Sequence, residues 1–135
     1  MLRLYPASKY WHAHVWRSAL ERDRTLFCCA RWVYHSLAET PDIARECRES
    51  WQQNVQDIKD ADVVVVWGKS EDQLRGALVE AGIALAFGIP VILAGTHDDH
   101  GSWQYHPLVI PMPDFDAALR HARTIMPRYR TGVAF

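Results

Sequence analysis

Short apolar runs alternate with stretches of mixed polarity from one end of the chain to the other. Leu2 to Ala7 reads as a first strand, and Thr25 to Ala30 is a second apolar run of strand length. Between them, Trp11 to Arg22 has helical character, with Trp11, Val15, Ala19 and Leu20 able to share a broad face. Thr40-Pro41-Asp42 opens a polar helix running to about Lys59, with Thr40 as N-cap and Pro41 as first residue. Ala61 to Trp67 contains four consecutive valines, Val63 to Val66, and a continuous β-branched run of this kind fits a central parallel strand buried on both faces. Arg75 to Phe87 is the next helix, stopped by Gly88. Ile89 to Ala94 and Leu108 to Pro111 are a fourth and a fifth strand, separated by the polar loop Thr96 to His106. Asp114 to Met126 is a last helix, and the tail from Arg128 to Phe135 is expected to pack poorly on its own.

Strands alternating with helices imply a parallel sheet with helices on both faces. Five strands in this rhythm predict a single-domain, three-layer α/β fold of the flavodoxin-like order 2-1-3-4-5. In such folds ligands sit beyond the carboxyl ends of the strands, near the switch in strand order. Three loops lie there: Ala7 to Tyr10, Trp67 to Asp72, and Thr96 to His100.

Length and composition narrow the function. At 135 residues the chain suits one domain, and 49% hydrophobic with 23% charged residues is an ordinary globular balance. Fifteen basic residues against sixteen acidic ones give a net charge of -1, with no long basic run. That argues against a nucleic-acid polymer or an acidic membrane surface as partner and leaves free nucleosides and nucleotides open. Three cysteines, Cys28, Cys29 and Cys47, lack CxxC spacing, so neither a disulfide framework nor a zinc site is expected. The first residues lack the apolar core of a signal peptide, and Glu80, Gly88 and Pro90 interrupt the apolar stretch from Ala77 to Gly95. The expectation is a cytoplasmic protein.

Glu80 is the residue least explained by the pattern. Its same-face neighbours on a helix are Gly76, Ala77, Ile83 and Ala84, none polar and none basic. A carboxylate there is paired across the fold, aimed at a ligand, or tolerated at a helix edge or subunit contact. Burial without a partner raises its pKa. Gly76 and Gly82 flank it and permit close approach by a substrate. Tyr5, near the carboxyl end of the first strand, is either a core aromatic or the group that holds this carboxylate, and Ser8 follows it into the loop. Asp72 either binds substrate or caps the Glu80 helix, with Ser70-Glu71-Asp72-Gln73 as an alternative capping box. Asp62 reads as structural. Trp11, Trp32 and Trp67 fall near loop ends, where an indole can stack on a base, whereas Trp16 and Trp51 read as core. His12 and His14 diverge on their helix, and His97-Asp98-Asp99-His100 has no recognised metal-ligand spacing. Gly-rich phosphate loops and Ser-elbow motifs are absent from the sequence.

Two stretches together resemble a known family. Leu2-Arg3-Leu4-Tyr5-Pro6-Ala7-Ser8 is similar to the first strand and Tyr-containing turn of the nucleoside 2-deoxyribosyltransferases. Asp60 to Val66, followed by Gly76 to Val91 with its pattern Glu-x-Gly-x-Ala-x-Ala-x-Gly-x-Pro-Val in Glu80 to Val91, resembles that family's central strand and catalytic helix. The resemblance implies that Glu80 is a nucleophile attacking C1′ of a 2′-deoxynucleoside or its monophosphate. A covalent deoxyribosyl-enzyme would then be resolved by a second base or by water, with Tyr5 orienting the carboxylate. Asp72 stands closest to the family's base-protonating Asp, which lies six residues before the nucleophile, where this chain has Leu74. Ser8, Trp67, Gly76 and Trp32 are the candidate substrate contacts. The resemblance also implies no metal or organic cofactor, and a homodimer or higher homo-oligomer in which a neighbour's C-terminal segment helps close the site. The family's C-terminal Asn is not evident. Two other readings stand beside it: a nucleotide-sensing or interaction domain that binds a nucleotide-sugar ligand without turnover, and a metal-dependent hydrolase using His97 to His100.

Overall fold

Strand β1 (Leu2–Ala7) lies between β2 (Leu26–Cys28) and β3 (Val63–Val66), with β4 (Val91–Ala94) and β5 (Val109–Met112) following in order. A computed structural model of the chain describes residues 1–35, 42–95 and 100–128. Every neighbouring pair of strands is parallel, and the order is 2-1-3-4-5, the flavodoxin-like arrangement expected from the alternation of elements. The register sets Leu4 opposite Val63 and Ala7 opposite Val66, so the four valines stack between β1 and β4 with no exposed surface. Burial on both faces is why this run is apolar at every position rather than at every second one.

Helices α1 (Ala13–Glu21) and α4 (Phe115–Ala122) meet on one face, where the Trp16 and Phe115 rings pack edge to face at 4.9 Å. Helices α2 (Ile43–Lys59) and α3 (Arg75–Ala86) pack together on the other. Trp16, rather than Trp11, is the aromatic that α1 buries; Trp11 sits half exposed in a 3-10 turn, Tyr10–His12, ahead of the helix. The N-cap of α2 is Asp42, whose carboxylate accepts from the Arg45 N–H. That replaces the expected Thr40 cap; Thr40 and Pro41 lie outside the described residues. The N-cap of α3 is Leu74, with no side-chain cap, so neither Asp72 nor Ser70 caps that helix. Gly88, at φ 72°, takes the left-handed conformation that ends α3 at least cost to glycine. Asp62, fully buried, accepts from the backbone N–H groups of Arg3 and Arg128 and ties β1 to the chain's last described turn, the structural role expected of it. Among the described residues no helix is long and apolar enough to cross a membrane. The Thr96 to Asp99 part of the third loop and the tail beyond Arg128 also lie outside the described residues.

Candidate active site

The carboxyl end of β1 and the middle of α3 converge on one contact. Tyr5, with no exposed surface, donates its phenolic hydrogen to Glu80 Oε2, and Glu80 is 6% exposed. α3 presents Ala77, Glu80, Ala81 and Ala84 inward, and the three alanines are small enough to let the helix sit close to β1 and β3. A carboxyl in this setting is poorly solvated. Burial pushes the Glu80 pKa up to about 8, with the Tyr5 hydrogen bond pulling it the other way. Burial and the adjacent carboxylate push the Tyr5 phenol above its ordinary range, so it stays a donor.

Glu80 opens onto a cavity of about 440 Å3. One wall is the chain leaving β1 (Ser8, Lys9, Tyr10), a second is Trp32 with His35, and a third is the start of α3 (Leu74, Gly76, Ala77). The fourth wall is α2. Cys47, Ser50, Trp51 and Asn54 recur at the spacing of a single helix face, with Glu46 and Gln53 beside them. From Asp42 to Ser50 every residue is exposed, so the first half of α2 forms the outer wall, and burial begins only at Trp51. Trp51 reaches α3 opposite Gly76, where a Cβ would lie 4.0 Å from its ring. Asn54 Oδ1 is buried and has no hydrogen-bond partner among the described residues. Trp32 is held flat against its wall by Nε1, which donates to the Pro6 carbonyl at 2.9 Å. Its turn is anchored by Arg31, whose backbone N–H and guanidinium both bond the buried Asp57 carboxylate.

The structure therefore brings Glu80, Tyr5, Gly76, Trp32 and Ser8 together, the first two by direct contact and the others around the cavity. The Ser8 hydroxyl is already committed: it donates to the Trp67 carbonyl at 2.6 Å and accepts from Trp16 Nε1 at 2.8 Å. Trp67 does not line the cavity but packs against His12, Trp16 and Phe115. Asp72 is also outside the lining. Its carboxylate is bound by His12 Nε2 at 2.7 Å and by the Lys69 N–H at 2.8 Å. Sequence reasoning placed Trp51 in the core and did not single out Tyr10, Asn54 or the rest of the α2 wall. The recurrence of Cys47, Ser50, Trp51 and Asn54 at helical spacing marks one face of α2 without saying what that face meets. Cys28 and Cys29 are buried, and burial pushes the Cys29 thiol up to about 12, far from a neutral-pH nucleophile. Among the described residues no three His, Cys, Asp or Glu side chains gather as a metal site.

No protein-family model matches the chain, and no curated protein matches it either. Among solved structures, the Clostridium botulinum CMP N-glycosidase BcmB is similar to it, with a TM-score of 0.53 and 16% identity over 90% of this chain and 96% of that one. At that identity the likeness is one of fold.

Proposed function

We propose that the cavity binds a nucleoside or nucleoside monophosphate and that Glu80 cleaves its N-glycosidic bond, with the whole chain acting as one nucleoside 2-deoxyribosyltransferase-like domain. The observation that carries this reading is the Tyr5–Glu80 contact at the wall of a cavity of nucleoside size. The fold shared with an N-glycosidase and the sequence resemblance of the β1 turn and the α3 helix support it.

The chemistry follows from the geometry. Tyr5 holds one carboxylate oxygen and leaves the other to meet C1′ of the sugar. As the Glu80 oxygen bonds to C1′, the C1′–N bond breaks, and its electron pair leaves with the base, which takes up a proton from solvent water. The carboxylate stabilises the positive charge that develops on the sugar. Water or a second base then attacks C1′ and gives up a proton to solvent, the Glu80–C1′ ester bond breaks, and the carboxylate is restored. The indoles of Trp32 and Trp51 offer flat faces on which a base can stack. The scheme calls on no metal or organic cofactor, and homo-oligomer formation in the cytoplasm belongs to the same proposal.

A second reading is favoured by one observation. Asp72 is engaged by His12, and Leu74 stands where the resembled family has an acid; among the described residues the other carboxyl lining the cavity is Glu46, on the exposed half of α2 rather than on the Glu80 helix. On that reading the cavity binds a nucleotide without turnover. Chromatography of the purified protein with ribo- and deoxynucleosides, their 5′-monophosphates and free bases separates the two. The first reading expects base release by the wild type, none by Glu80→Ala, and a mass adduct on Glu80 with a slow 2-fluoro nucleoside. Equal products from both proteins overturn the nucleophile assignment, and binding without products favours the second reading.

A further inference from the structure

The loop leaving β1 and the loop leaving β3 flank the switch in strand order, where ligands enter this fold. Beyond the backbone bond from the Trp67 N–H to the Ala7 carbonyl, two side-chain ties among the described residues cross that seam. One is the Ser8 hydroxyl on the Trp67 carbonyl. The other is a buried pair: His12 Nε2 meets Asp72 Oδ2 at 2.7 Å, and each side chain is only 5% exposed. The seam is densely filled around this pair. The His12 ring lies 4.9 Å from the Trp67 ring, and the loop folds back so tightly that a Cβ on Gly68 would come within 3.1 Å of Asp72 Oδ2 and 2.7 Å of Leu74.

The pair stands just behind the cavity on both sides. His12 is two residues beyond Tyr10 in the same 3-10 turn, and Asp72 is two residues ahead of Leu74, the N-cap of α3. Tyr10 and Leu74 both line the cavity; His12 and Asp72 do not. We propose that His12 and Asp72 are positioning residues that fasten the Ser8–Tyr10 wall to the start of α3, and so fix the distance between that wall and Glu80. The inference rests on reading the cavity as the nucleoside site, and it withdraws Asp72 from contact with substrate.

Chemistry supports a fastening role. Burial alone would raise the Asp72 pKa, but the Lys69 N–H, His12 and the nearby Lys9 charge outweigh it and hold the carboxyl below its usual range. The bond from His12 is therefore made to an ionised acceptor, the stronger class of hydrogen bond. α3 has no side-chain cap of its own, so this loop contact joins the burial of Leu74 in holding its entry in place.

The test uses His12→Leu, Asp72→Asn and His12→Gln in the full chain, since the glutamine amide reaches where Nε2 does and can still donate to Asp72. With whichever substrate the wild type cleaves, His12→Leu and Asp72→Asn are expected to lower kcat at least tenfold with a smaller change in KM. His12→Gln is expected to recover most of that loss. Melting temperatures identify any loss that follows unfolding. Loss of kcat in all three variants alike, or in none, overturns the proposal. If the wild type cleaves nothing, the functional reading fails on its own, and amide hydrogen exchange still reads the fastening. Amides of 8–12 and 74–77 are then expected to exchange at least tenfold faster in His12→Leu while the β1 and β3 strands keep their protection. Unchanged exchange in those two segments overturns the inference.

Discussion

Tyr5 and Glu80, 75 residues apart in the chain, are joined by one buried hydrogen bond in which the phenol donates to the carboxyl. The contact exists because β1 ends beneath the alanine face of α3, so the strand delivers a donor where the helix delivers the acid. This bond favours the ionised form of Glu80, against the burial that disfavours it.

Tyr5→Phe removes that donor and leaves the ring. The Glu80 pKa is then expected to rise above about 8, because the one contact lowering it is gone. A hydrogen bond to a charged group contributes about 1.5–3 kcal/mol, so kcat/KM at pH 7 is expected to fall roughly 10- to 100-fold. Steady-state kinetics across pH check both expectations. A variant whose profile keeps the wild-type midpoint would show that Tyr5 does not tune the acid.

The direction of the wild-type pH profile tests the role of Glu80 itself. A nucleophile must be ionised, and the pKa of the free protein sits at about 8. Hence kcat/KM is expected to climb about tenfold per pH unit up to that point and then level off. A general acid gives the opposite limb, with activity lost above about pH 8. The sign of the slope between pH 6 and pH 8 decides between them.

Much of this arrangement was legible in the chain, for reasons that differ from residue to residue. Val63 to Val66 announced a central strand because burial on both faces permits no polar position. Glu80 stood out because its helical neighbours are all apolar, so its charge has no solvent stripe to share. The α2 wall was not legible. A polar helix face turned toward a cavity has the same spacing as one turned toward water, and Trp51 was absorbed into the core reading for want of any cue to which it faced. The partner of Asp72 was not legible for a different reason. Whether an Asp before a helix caps it depends on the path of the loop, and here the turn at Gly68 carries it to a histidine 60 residues away in sequence. Local spacing carries no information about such a partner.

Burying an acid has a cost that stability measurements can read. The folded-state pKa of Glu80, about 8, lies above its ordinary value of 4.5, so folding favours the protonated form. Its contribution is fully present below about pH 4.5 and is lost as pH rises toward 8. Glu80→Gln keeps an acceptor for Tyr5 and carries no charge. It is expected to be more stable than wild type at pH 8 to 9 by on the order of a few kcal/mol, the two converging near pH 4.5. Denaturant unfolding at both pH values checks this, and a constant difference between the proteins would place the titration elsewhere.

Asn54 makes a prediction about stability. Its Oδ1 is buried in the α2 wall and lacks a partner among the described residues. An unmet buried acceptor costs about 1–3 kcal/mol. Asn54→Leu, similar in size and without polar atoms, is therefore expected to be more stable than wild type by about that amount, because the unmet acceptor is gone. Asn54→Asp puts a charge in the same place and is expected to be less stable than wild type at neutral pH. Denaturant unfolding of the three proteins at pH 7 orders them directly. Equal stability of wild type and Asn54→Leu would show that Oδ1 is already satisfied in the folded protein.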